Sequence, residues 1–222
     1  GMYYYYLQAR GTNFAAAEWQ GPGTFTITSA SMCPEFFVYA ASFRSPMARV
    51  MSHMNMYGLN PEAALGLTRA AATDHVVAIP LMSGGWYGNS FAWFDNLYAR
   101  ELSLGVDAYR APALSLNESH LERAVHLLRR FDVVMTLERA EEQLGQLERF
   151  LPAAKSTARL RLARKNKEHH DARYTALVLR KHPRVKELSW KSSAAWKQLS
   201  AANGLDERLF EVASRRAASL TA

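Results

Sequence analysis

A single cysteine, Cys33, occurs in 222 residues, so the chain can build neither an intrachain disulfide nor a cysteine-based metal site. Cys33 reads as a small, packed apolar residue. No run approaches the roughly 18 apolar residues that a membrane-spanning helix needs. No charged-then-apolar leader opens the chain, and Gly1 before Met2 reads as a tag remnant. Repeats, low-complexity tracts and Pro/Gly-rich linkers are all lacking, which makes one domain over residues 2–222 the economical description. His169, His170 and His182 show no paired ligand spacing and sit among basic residues, so no metal is assigned.

Acidic residues are in deficit, 20 against 27 Lys and Arg, for a net charge of +7. The surplus is concentrated. Residues 155 to 186 hold eleven Lys or Arg against Glu168 and Asp171 alone, which exceeds the excess of the whole chain. Such a block suits a polyanionic partner, with Arg164 and Lys165 near its centre; a solvated basic surface is the competing reading. No DNA- or RNA-binding signature accompanies the charge, and no nucleic acid partner is expected.

Hydrophobic residues make up 49% of the chain, enough for one sizeable core. Apolar runs and helical segments alternate in the manner of an α/β fold. Short strands are expected at residues 3–7 and 24–28, with a helix at 13–19 between them. A buried strand follows at 36–43, then helices at 46–57 and 61–72. The glycines of residues 83–89 mark a loop. Residues 91–104 read as a helix stopped by Gly105. Another helix ends near Arg130, begun either by a capping box at residues 115–118 or by Asn117 directly. A strand at 131–137 leads to helices at 140–150, 192–203 and 206–217.

The most specific string is Arg44-Ser-Pro-Met-Ala-Arg-Val-Met-Ser52, an R-x-P-x-x-R-x-x-S pattern entered from the apolar FFVYAA of residues 36–41. Four fixed residues at these offsets arise by chance on the order of a few times per thousand chains of this length, so the string carries weight. A strand would deliver Arg44 at its carboxyl end, and Pro46 would set φ for the first turn of the next helix. Ser52 would lie two turns along that helix. A guanidinium fork and a hydroxyl could then close on one phosphate monoester at the edge of a parallel sheet.

This string resembles the 3′-phosphate motif of the carbohydrate (Golgi-type) sulfotransferase superfamily, enzymes that use 3′-phosphoadenosine 5′-phosphosulfate, PAPS. Further segments resemble the family in collinear order. Asp95-Asn96 with Arg100, Leu102 and Gly105 is similar to its D-N-x-x-x-R-x-L-x-x-G segment. Residues 121–138, with Phe131-Asp132 and Glu138, resemble its L-x-x-A…L-x-x-F-D-x-V…E helix and strand. Asn203-Gly204-Leu205-Asp206 followed by Leu209-Phe210 resembles its closing helix. The resemblance implies a parallel sheet flanked by helices in a P-loop-like sulfotransferase fold. It also implies transfer of a sulfuryl group from PAPS to a carbohydrate hydroxyl, and the basic block at 155–186 would bind an anionic glycan acceptor. Arg44 and Ser52 would hold the 3′-phosphate, and Asn96 and Arg100, one turn apart on a helix, would bind acceptor or support the site. The compartment would be the Golgi lumen if the chain follows eukaryotic members, otherwise the cytoplasm.

One family element is degenerate. No P-K-T/S-G-T loop precedes the 3′-phosphate motif. The nearest segment is Gln8-Ala9-Arg10-Gly11-Thr12-Asn13, with Ala9 at the lysine position. Arg10, Gly11 and Thr12 are the candidates to meet the 5′-phosphosulfate through charge, amides and a hydroxyl; turn and capping chemistry is the plainer reading. No general base is assigned, because Glu18 and Glu35, the acids of the interval where the family keeps one, match no motif. His53 adjoins Ser52 but lies about 100° around the helix, so it packs or faces solvent. Two functions therefore stand open: an active sulfotransferase, or a catalytically impaired relative that binds nucleotide or glycan.

Overall fold

The structure, a computed structural model, describes residues 32, 35, 37–57, 59–73, 78–80, 86–88, 94–104, 111–150 and 190–222. The expected elements at 3–7, 13–19 and 24–28, together with the basic block at 155–186, lie outside the described residues. A strand β1 (Ala40–Phe43) leads directly into helix α1 (Pro46–Tyr57), followed by α2 (Pro61–Thr73). Two three-residue strands, β2 (Ala78–Pro80) and β3 (Trp86–Gly88), come next. Then follow α3 (Leu97–Leu104), α4 (Glu118–Leu128) and β4 (Val133–Thr136). A 3-10 turn (Leu137–Arg139), α5 (Ala140–Phe150), α6 (Ala194–Ala202) and α7 (Gly204–Thr221) complete the order.

The described residues are mostly helical around a two-stranded parallel sheet, an α/β arrangement in the general sense. β1 pairs with β4 in parallel, Ala40 opposite Val133 through Phe43 opposite Thr136. Asp132 sets this register. Its Oδ2 accepts the Tyr39 N–H at 2.9 Å, while the Asp132 and Val133 amides both donate to the Tyr39 carbonyl at 2.9 and 3.1 Å. β4 is buried along its whole length because helices cover both faces, the usual condition of a parallel strand. Val134 packs with Phe43, Leu128, Leu209 and Ala213 towards α4 and α7, whereas Val133 and Met135 meet Ala140, Leu144 and Leu147 of α5.

The outer edge of β4 is closed by side chains. Gln146 Oε1 accepts from Val134 N–H at 3.0 Å and Gln143 Oε1 from Thr136 N–H at 2.7 Å, both buried on α5. These glutamines take ladder donors that would otherwise recruit another strand. Gln146 Nε2 also reaches the Ala217 carbonyl at 3.0 Å, which ties α5 to α7. A second core joins Val50 and Met54 of α1 to Ala64 and Leu65 of α2, Phe94, and Trp190, Trp196 and Leu199 near α6.

Several boundaries differ from the sequence expectation, each for a physical reason. The buried strand expected at 36–43 starts at Ala40, because the Asp132 side chain takes the Tyr39 N–H where the ladder would continue, and of its residues only Phe43 is buried, Ala40 and Ser42 being exposed. The strand expected at 131–137 loses both ends. Phe131 N–H bonds back to Leu128 at 3.2 Å, and Leu137 opens a 3-10 turn. Trp86–Gly88, read as loop, pairs antiparallel with Ala78–Pro80, consistent with the strand preference of Trp86 and Tyr87. Asn117 caps α4 directly. Its Oδ1 accepts the Ser119 N–H at 3.1 Å, while His120 Nδ1 accepts the Asn117 N–H at 3.2 Å. Among the described residues no helix is long and apolar enough to cross a membrane.

Candidate functional site

Arg44 leaves the carboxyl end of β1, and Pro46 opens α1 two residues later. The Arg49 N–H donates to the Ser45 carbonyl at 2.9 Å as the first helical bond, so the turn is tight. Two further amides of the turn are taken by side chains: Arg44 N–H donates to the Tyr98 hydroxyl at 3.0 Å and Ser45 N–H to Glu138 Oε1 at 2.7 Å. The Glu138 carboxylate thus meets the positive end of α1, where it suits the helix dipole.

The Arg44 guanidinium has no hydrogen-bond or ion-pair partner among the described residues. Ser52 is exposed on α1, two turns beyond Ser45. His53 is largely buried. Burial, then the charge of Arg49, then that of Arg44, push its imidazole down to about 3, so it is neutral under ordinary conditions. Of the two orientations open to it from sequence, His53 takes the packed one.

Arg49, the second arginine of the string, does something different from Arg44. It turns inward, donating through Nη2 to Asn203 Oδ1 at 3.1 Å and Asp206 Oδ2 at 3.2 Å, and its guanidinium lies 5.0 Å above the Tyr98 ring. Asp206 is fully buried and also accepts the Tyr98 and Ala99 amides at 3.1 and 2.8 Å, capping the start of α3 from a distant helix. Burial pushes the Asp206 carboxyl up, while Arg49 and those two amides pull it back.

Asn96 works in the opposite direction. Its Oδ1 accepts the Leu205 and Asp206 amides, both at 3.0 Å, and so caps α7; its Nδ2 donates to the Ala202 carbonyl at 2.5 Å. Asn203 Nδ2 closes the circle on the Phe94 and Leu199 carbonyls at 2.7 and 2.8 Å. Asn96 stands just outside α3 with φ 45°, a left-handed conformation that asparagine tolerates; the Arg100 N–H donates to its carbonyl at 2.8 Å, so the two are one turn apart as expected, with Asn96 at the helix boundary and not on its face. Arg100 is fully buried against the Asp95 carboxylate and donates to the Ala111 and Pro112 carbonyls at 2.9 and 3.1 Å. It clamps the segment before α4 onto α3.

The segments that sequence spacing singles out one by one thus meet. Arg49, Asp95, Asn96, Arg100, Asn203 and Asp206 share one buried polar network behind the β1 to α1 turn, with Asp132 and Glu138 fastening the strands in front of it. Tyr98, which no sequence pattern marked, links network and turn. A shallow cavity of about 380 Å³ lies between Asn96, Leu114, Ala202 and Arg208; neither Arg44 nor Ser52 lines it. Arg10, Gly11, Thr12, Arg164 and Lys165 lie outside the described residues. Compared with known proteins, the chain matches no family model, no curated protein and no solved structure.

Proposed function

We propose that this chain is a PAPS-dependent sulfotransferase that moves a sulfuryl group to a carbohydrate hydroxyl. The observation that carries the reading is Arg44, a guanidinium without a partner among the described residues, at the carboxyl end of a parallel strand and directly before a helix. Ligands of α/β proteins gather at that end of the sheet. Arg44 fits a phosphate monoester because its fork can donate two parallel charge-assisted bonds, and the exposed Ser52 hydroxyl adds a donor from α1.

The remaining roles follow from placement and charge. Asn96 and Arg100 support the site from within the buried network, their polar atoms engaged with the chain itself. Arg10, Gly11 and Thr12 would hold the phosphosulfate, and the basic block with Arg164 and Lys165 would attract an anionic glycan. PAPS, when bound, supplies the sulfuryl group. A second reading, a nucleotide- or glycan-binding module with impaired catalysis, is favoured by Ala9 at the place of the family's lysine. That lysine would act on charge developing during transfer, and losing one such donor costs about 10²- to 10³-fold in rate.

Isothermal titration tests the grip. Arg44→Ala should weaken adenosine 3′,5′-bisphosphate far more than adenosine 5′-phosphate; equal losses for both would mean that Arg44 serves the fold alone. Sulfuryl transfer from PAPS to a glycan then separates the enzyme from the binding module.

A further inference from the structure

We propose that Tyr98 is a positioning residue that aims the Arg44 guanidinium at the 3′-phosphate, an inference that rests on the anion-grip reading of Arg44. An arginine at the end of a strand is held poorly by the strand itself, since its own ladder donor has run out of partners. Here the Tyr98 hydroxyl accepts that last donor, the Arg44 N–H, at 3.0 Å. The residues on either side are fixed independently, Phe43 by its pairing with Thr136 and Ser45 by Glu138. With Tyr98 in place, Phe43, Arg44 and Ser45 are each bonded through the backbone to another element, and the side chain of Arg44 departs from a braced backbone.

Tyr98 is itself held from three directions. Its amide donates to Asp206 Oδ2 at 3.1 Å, its ring meets Phe43 edge-on at 5.1 Å, and Arg49 covers its face at 5.0 Å. Burial pushes its phenol above the ordinary value, so the hydroxyl stays protonated and neutral where proteins work. The tyrosine therefore acts as a strut from the buried network to the turn. Rigid placement of the guanidinium lowers the ordering cost of binding, a gain confined to the ligand group that Arg44 touches.

Tyr98→Phe removes the hydroxyl and keeps the ring contacts with Phe43 and Arg49. The readout is the ratio of affinities for adenosine 3′,5′-bisphosphate and adenosine 5′-phosphate, measured by calorimetry on the whole chain. The ratio should fall about 5-fold, the size of one neutral hydrogen bond, with little change for the 5′-phosphate. In an Arg44→Ala background the same substitution should change nothing further, because its effect passes through Arg44. A ratio unchanged by Tyr98→Phe but collapsed by Arg44→Ala would overturn the role of Tyr98 and leave the grip standing. A ratio untouched by Arg44→Ala would overturn both. Equal losses for the two nucleotides, or a Tyr98→Phe chain that does not fold, would show that Tyr98 serves the fold and would likewise overturn the proposal.

Discussion

Replacing Asp206 with alanine should be among the most damaging single changes in this chain, and the structure says how large the damage is. The Asp206 side chain is 0% exposed and that of Arg49 6%, so the pair lies out of reach of water. Truncating Asp206 takes the carboxylate from a buried guanidinium, and it uncaps the Tyr98 and Ala99 amides at the start of α3. Breaking a buried pair from one side costs about 3–5 kcal/mol. A domain of ordinary stability has only about 5–15 kcal/mol in total. With a urea dependence of about 2 kcal/mol per molar, the midpoint should fall by about 1.5–2.5 M in far-UV circular dichroism. Arg49→Met alone should also destabilise, and the double variant should be better than the sum of the two by about 2 kcal/mol, since the two side chains share one buried ion pair. Loss of less than about 1 kcal/mol in Asp206→Ala, or strict additivity in the cycle, would refute the claim that this pair is the keystone of the network.

His53 makes stability depend on pH. Its pKa of about 3 in the folded chain lies below the ordinary 6.5, so the unfolded chain binds the extra proton between those values. Its contribution is complete above about pH 6.5 and falls by about 1.4 kcal/mol per unit below it, or about 2 kcal/mol by pH 5. Urea midpoints across that range should drop more steeply in the parent than in His53→Gln, and identical slopes would sink the assignment. For the basic block, charge reversal at Arg161, Arg164 and Lys165 should lower the salt needed for elution from heparin, because exposed charges act only within about 8 Å at physiological ionic strength. Unchanged elution would remove this block as a polyanion site.

How much of this could be read beforehand depended on whether the deciding partner was local. α1 begins at Pro46 and α5 ends at Phe150 as expected, because proline at the first helical position and the apolar spacing are properties of the segments themselves. Asn117 capped α4 from its own first turn. Sequence spacing puts the start of α7 two residues late, at 206, because its cap is not local: Asn96, more than a hundred residues earlier, accepts the Leu205 and Asp206 amides. The same remoteness hid the role of Glu138, whose place at the Ser45 amide depends on the parallel pairing of β1 and β4.

The two arginines of the phosphate-like string make the point most sharply. Arg44 and Arg49 are five residues apart and chemically identical, and nothing in their neighbours separates a ligand from a strut. What separates them is Asn203 and Asp206, about 150 residues downstream, which draw Arg49 into the interior and leave Arg44 at the turn. Half of the string is therefore architecture. Arg49→Ala would strike folding before it touched any anion, whereas Arg44 can change with the network intact. A chain that lost the power to transfer a sulfuryl group would still be held to Arg49, Asn96, Asn203 and Asp206 by the need to fold. Those residues alone thus argue for the scaffold. Nucleotide chemistry has to be argued from Arg44 and from the segment containing Arg10, Gly11 and Thr12, and for that reason the 3′-phosphate titration and the transfer assay are separate tests.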